Sequence, residues 1–158
     1  REVGINIDTR TKGAFVFENM ETSMDGVFAC GNVCHVHDLV DFVTGESQKA
    51  GRSAAKYIND ISNSNVTTIE IKNGEGIFYT VPQKVRIENM DSKLEIFFRV
   101  KSVEKNVIIS ISDEDGKIIK EFKRPHVAPA EMEKIALTKK QFEAVSTNKV
   151  FISMKKGE

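Results

Sequence analysis

The sequence predicts an α+β chain in two parts: short β runs leading into one helix over residues 1–61, then an antiparallel Ig-like β-sandwich over residues 66–158. Three observations carry this reading. Apolar residues alternate along 1–31 and then recur at helical spacing along 39–61. The polar stretch Ser62-Asn63-Ser64-Asn65 marks a linker, 62–65, between the parts. Beyond it come seven short, largely alternating runs, rich in β-branched and aromatic residues and closely spaced as in a sandwich.

Each element has a local cause. Val3, Ile5 and Ile7 alternate in a strand-like run, and residues 9–13 are turn material. "AFVFE", 14–18, is a second β-rich run. Asp25-Gly26 is a turn dipeptide, and the apolar stretch Val27 to Gly31 reads as a buried strand stopped by glycine. Asp38 can cap the following helix, its carboxylate accepting free first-turn N–H groups. Leu39, Val40, Phe42 and Val43 begin the helix's apolar face; Ala50, Ala54, Tyr57, Ile58 and Ile61 continue it. Gly45 and Gly51 each cost about 1 kcal/mol in a helix interior. Either they pack closely on a neighbour, or Thr44-Gly45 breaks the helix in two.

In the second part, strands are expected over 66–72, 76–81, 84–89, 93–102, 106–112, 117–123 and 149–155. Asp115-Gly116 marks a hairpin. Residues 138–145 read as a helical turn. Of Phe97 and Phe98, one faces the core and the other outward. His126 falls in a proline-bracketed loop, and the lysine-rich end reads as a solvated edge strand.

Composition narrows the function classes. Formal net charge is zero over 158 residues, so no basic field points to nucleic acid. The first 64 residues carry 6 basic and 9 acidic groups and the remainder 17 and 14, a mild asymmetry that suits two units. No apolar run approaches the roughly 20 residues of a membrane span. Two cysteines make no disulfide framework, and a reducing, cytoplasmic setting is expected. The chain opens at Arg1, not at methionine, which suggests a piece of a longer protein.

The segment "ACGNVCHVHDLVDF", 29–42, concentrates reactive side chains. Cys30, Cys34, His35 and His37 are metal-ligand types, but C-x₃-C followed directly by H-x-H is no standard zinc spacing, and no metal site is assigned. No helix starts at Cys30 to lower its thiol pKa, so Cys30 reads as a small buried residue and Cys34 as the more exposed of the two. His35 and His37 are either plain loop residues or neighbours of a ligand.

Thr22, Gly26, Val27, Phe28, Ala29 and Gly31 match the pattern T-x-x-x-G-[VI]-[FY]-A-x-G-D. This resembles the second FAD fingerprint of the two-dinucleotide-domain flavoproteins, the superfamily of thioredoxin-reductase-like and pyridine nucleotide–disulfide oxidoreductases. The "T-K-G" turn at 11–13 is similar to that family's lead-in. Asn32 stands where the family usually has Asp; it keeps an acceptor oxygen and loses the charge. The resemblance covers about residues 3–61. The family's G-x-G-x-x-G and C-x-x-C motifs, which lie upstream, are absent from the sequence.

The resemblance implies that residues 1–61 are the last piece of an FAD-binding α/β domain. It implies FAD as cofactor and NAD(P)H as electron donor, with Gly31, Asn32, Val33, Leu39 and Val40 at the cofactor. Asn32 would meet a ribityl hydroxyl, and N–H groups near Leu39 and Val40 would approach the flavin's pyrimidine edge. Catalytic residues stay unassigned. The implied partners are the remainder of the protein's own FAD and NAD domains. The 158-residue chain alone is expected to be inactive. The β-sandwich is the alternative centre of function, as a docking module for a partner subunit, and a small metal-binding redox protein is a weaker alternative. Apolar edges in 1–61 favour homo-oligomers or strand swapping.

Overall fold

The computed structural model describes residues 4–59 and 66–157. Val3, Ile61 and the linker 62–65 lie outside the described residues. The fold is mixed α+β, mostly strands in two sheets. After helix α1 (Val40–Asn59) come β1 (Thr68–Asn73), β2 (Ile77–Val81), β3 (Lys84–Arg86), β4 (Lys93–Val100), β5 (Glu104–Asp113), β6 (Ile118–Val127), β7 (Glu133–Thr138), the short helix α2 (Lys139–Glu143) and β8 (Lys149–Lys156).

Five strands form one sheet in the order β3-β1-β8-β5-β6, and three form a second in the order β2-β4-β7. Pairing is antiparallel except between β1 and β8, which run parallel from Glu70↔Lys149 to Asn73↔Ile152. The expectation of an antiparallel sheet is corrected at that pair: parallel strands need a long connection, and here everything from β2 to α2 lies between them. The lysine-rich last strand is not an edge. β8 sits between β1 and β5, with Val150 and Ile152 fully buried. β7, which sequence reading left out, pairs with β4 through Ile135 and Leu137. His126 lies on β6, opposite Lys105, rather than in a loop.

The core lies between the sheets. Ile69, Ile71, Ile96, Phe98, Ile109 and Ile152 are buried together there, each stabilising the fold by roughly 1.5–3 kcal/mol. Phe97, next to Phe98, is also buried, although it points to the opposite face of β4. Something covers that second face.

The cover is the N-terminal segment. Its three β-rich runs form isolated bridges rather than strands: Ile7 with Ala14, Val16 with Thr22, and Glu21 with Phe28. Lys12 (φ 61°) and Met20 (φ 69°) take the left-handed conformation, which ends each extended run. The stretch Val27 to Ala29 is half-buried, not a buried strand. The segment docks on the β unit through paired backbone and side-chain bonds. Val16 N–H donates to Gln83 Oε1 (3.0 Å) and Gln83 N–H to the Val16 carbonyl (3.2 Å). Arg86 reaches Glu18 (3.1 Å), Glu21 (2.7 Å) and Asn19 (2.8 Å). Val16, Met20, Cys34 and Ala50 then share a small apolar cluster with Tyr79 and Val81 of β2.

Helix α1 is continuous, so Thr44-Gly45 does not break it. Neither Gly45 nor Gly51 packs closely: a Cβ at either position meets nothing within 4 Å. Among the described residues no helix is long and apolar enough to cross a membrane.

Gly45→Ala and Gly51→Ala therefore recover helix propensity without a clash. Each is expected to stabilise the chain by about 0.5–1 kcal/mol, raising the urea midpoint at an unchanged slope. A destabilised Gly45→Ala would mean that this face of α1 is packed.

Candidate functional site

The fingerprint loop follows from the packing beneath it. Asp8 Oδ1 accepts the N–H groups of Arg10 and Thr11, both at 2.8 Å, and shapes the turn before Gly13. Gly13 lies so near the backbone of Cys34 that a Cβ would stand 2.0 Å from the Cys34 carbonyl oxygen. Ala14 N–H then donates to the Val33 carbonyl at 2.9 Å. The turn before Gly13 thus lies directly against the Gly31–Val33 turn and Cys34. Gly31 takes φ +66°, a conformation that favours glycine, and opens a single 3-10 turn, Gly31–Val33.

Of the five sequence-predicted cofactor residues, Gly31 is buried, while Asn32, Val33, Leu39 and Val40 are exposed. Asn32 Oδ1 accepts the His37 N–H at 3.3 Å, leaving one oxygen lone pair and the amide hydrogens without a partner among the described residues. Val33 (66% exposed), Val36 (63%), Leu39 (55%) and Val40 (79%) make one short stretch unusually apolar for a surface. The N–H groups of Leu39 and Val40, at the start of α1, have no intrahelical acceptor, while Phe42 N–H donates to the Leu39 carbonyl at 3.2 Å.

Behind this loop sits a polar cluster that sequence reading did not assemble. Glu46, one helical turn and more into α1, is buried. Its Oε2 accepts the Gly31 N–H at 2.9 Å. His35 Nε2 lies 2.9 Å from Oε1, and His37 Nε2 lies 3.0 Å from Oε2, both imidazoles being wholly buried. An ionised carboxylate only accepts, so His35 donates through Nε2. The His37 contact is electrostatic, because its ring N–H is not aligned with the oxygen. Burial opposes charge on Glu46, but the His35 and His37 contacts and the Gly31 N–H hold its carboxyl below the ordinary range. The readable signal was its spacing: Glu46 lies one α1 turn past Phe42 and Val43, on the side that Ala50 buries.

His35, His37 and Glu46 are the donor types of a divalent-metal site, with ligand atoms within 4.8 Å of one another. The surroundings fit a metal poorly. A metal-bound imidazole donates its second ring N–H to an acceptor, and neither His35 Nδ1 nor His37 Nδ1 has a partner among the described residues. The cluster fits better as a buried carboxylate held by two imidazoles and one amide. The cysteines do not join it as a ligand set. Cys34, expected to be the more exposed, is fully buried, and burial, with Glu46 and Cys30 nearby, pushes its thiol up to about 12. Cys30 is half-buried beside Ser47.

Asp38 does not cap α1, which begins at Val40. Its carboxylate is engaged by the Arg99 guanidinium and by the Met132 N–H instead.

Glu46→Ala, which strands two imidazoles and the Gly31 N–H, is expected to cost about 3–5 kcal/mol in urea unfolding at neutral pH. Glu46→Gln, which keeps one acceptor, should cost less. Because the folded carboxyl titrates below its ordinary 4.5, its contribution is complete above that value and is lost as pH falls through the lowered one. The gap between wild type and Glu46→Gln should therefore close in acid; a pH-independent gap would deny the ion its role.

Comparison of the chain with protein-family models, with curated proteins and with solved structures finds no match in any of the three.

Proposed function

We propose that this chain is the C-terminal part of an FAD-dependent oxidoreductase, one that passes electrons from NAD(P)H through FAD to a further acceptor. Residues 1–61 end its FAD-binding domain, and residues 66–158 are an Ig-like sandwich appended to it. One observation carries the reading: the fingerprint glycine, Gly31, adopts a left-handed conformation and leads through one turn to a helix start whose flanking residues are exposed and apolar. A surface of this kind suits a flat aromatic ring better than water.

The residues fit the implied group. A side chain at Gly31 would crowd Val43, whose Cγ1 would lie 3.1 Å from its Cβ. Asn32 retains hydrogen-bonding capacity for a ribityl hydroxyl. The open N–H groups and the positive dipole end of α1 favour negative charge on a reduced flavin's pyrimidine edge. When bound, FAD supplies the hydride and electron chemistry; the protein supplies orientation, exclusion of water and electrostatics.

The test is one absorbance spectrum. The protein is expressed with its natural upstream sequence and purified without added cofactor. A band at about 450 nm, released on denaturation and bleached by NADH or NADPH, is the expected result. A colourless protein that neither binds added FAD nor oxidises NAD(P)H would overturn the reading. The 158-residue chain alone, which lacks the pyrophosphate-binding motif, should show negligible NADH oxidation.

A further inference from the structure

The outer face of the three-stranded sheet is built to hold the turn before α1. Tyr79 on β2 lies opposite Arg99 on β4, and Phe97 lies two residues before Arg99 on the same face. The other face carries Ile96, Phe98 and Val100 into the core. A sheet face is ordinarily left to solvent or covered by an apolar helix. Here it is covered by His35, His37 and Phe42. His35 stands 5.8 Å from the Tyr79 ring and 5.9 Å from Phe97; His37 is 5.4 Å and Phe42 5.3 Å from Phe97.

Arg99 engages all three of its nitrogens, two within the β unit and one on the segment before α1. Its Nε donates to the Tyr79 hydroxyl (3.0 Å), Nη1 to the Pro129 carbonyl (3.1 Å), and Nη2 to the Val36 carbonyl (3.1 Å) and to Asp38 Oδ1. Asp38 Oδ2 takes the Met132 N–H from the connection between β6 and β7. Asp38 is thus held from two directions by the β unit, one residue before Leu39. A planar guanidinium with three fixed donor directions defines position as well as charge, which a lysine could not do.

We propose that Arg99 is a positioning residue for the flavin site: acting through Asp38 and the Val36 carbonyl, it fixes where α1 starts and where the Leu39 and Val40 N–H groups point. The appended sandwich then serves as a frame for the pyrimidine edge of FAD. This inference rests on the flavin reading above.

Two measurements separate the inference from that reading. In the 158-residue chain, Arg99→Met and Asp38→Asn are examined by amide hydrogen exchange, with far-UV circular dichroism confirming the fold. Exchange at the hydrogen-bonded amides that the clamp holds, His37, Phe42 and Met132, should rise roughly tenfold or more while the β5–β8 amides keep their protection. The double variant should add little to either single one. In the full-length protein, Arg99→Met should shift the flavin reduction potential and its visible circular dichroism and weaken FAD retention several-fold; Arg99→Lys, which keeps the charge without the fork, should recover these only in part. Unchanged exchange at His37, Phe42 and Met132 overturns the clamp, whatever the colour of the wild type. Faster exchange with unaltered potential, spectrum and FAD retention overturns the positioning role. A colourless wild type overturns the flavin reading and this inference with it, and the exchange response tells that case from a failed clamp.

Discussion

A single buried carboxylate fixes the geometry of the fingerprint loop. Glu46 cannot be left alone in an apolar interior, since an unpaired buried charge costs several kcal/mol. The partners it draws in are the Gly31 N–H and the rings of His35 and His37. Satisfying one helix residue therefore closes the loop onto α1. The same need turns the two imidazoles inward, where they become the apolar cover for Phe97 and Tyr79. One desolvated ion thus ties the loop, α1 and the outer sheet face together.

The β unit was largely legible in the sequence because its strands obey a local rule. Side chains that alternate must face opposite ways, and runs such as 93–100 and 106–112 state that alternation directly. The parallel β1–β8 pair was not legible, because pairing partners are set by tertiary packing and not by periodicity. β7 was missed because its alternating core, Ile135 and Leu137, is short and flanked by charge.

The candidate site was legible as a motif and illegible as a cluster. Gly31 and Asn32 stand in a pattern with fixed spacing, so they could be named. Glu46 is fifteen residues from Gly31, and only the continuous path of α1 brings it back beneath the loop. The cysteines were read in the wrong order of burial because residue type says little about which of two neighbours faces inward. Cys34 turns in because the 3-10 turn at Gly31–Val33 rotates it beneath Gly13. Asp38 was misread because capping is a local use of a carboxylate, whereas Arg99 lies in a strand 61 residues away.

The parallel pairing of β1 with β8 bears on how the protein is made. β1 is the first strand of its sheet to leave the ribosome, and its neighbour on one side is the last. Until residues 149–156 are synthesised, β1 has only the three-residue strand β3 beside it, and Ile69 and Ile71 lack Val150 and Ile152, which share their core cluster. Contacts this distant in sequence are slow to form. The Tyr79, Phe97 and Arg99 part of the docking face lies on the other sheet, whose three strands are complete by Thr138, and Arg86 on β3 has been made before it. During synthesis the Arg99 face can therefore receive its segment before the five-stranded sheet has closed.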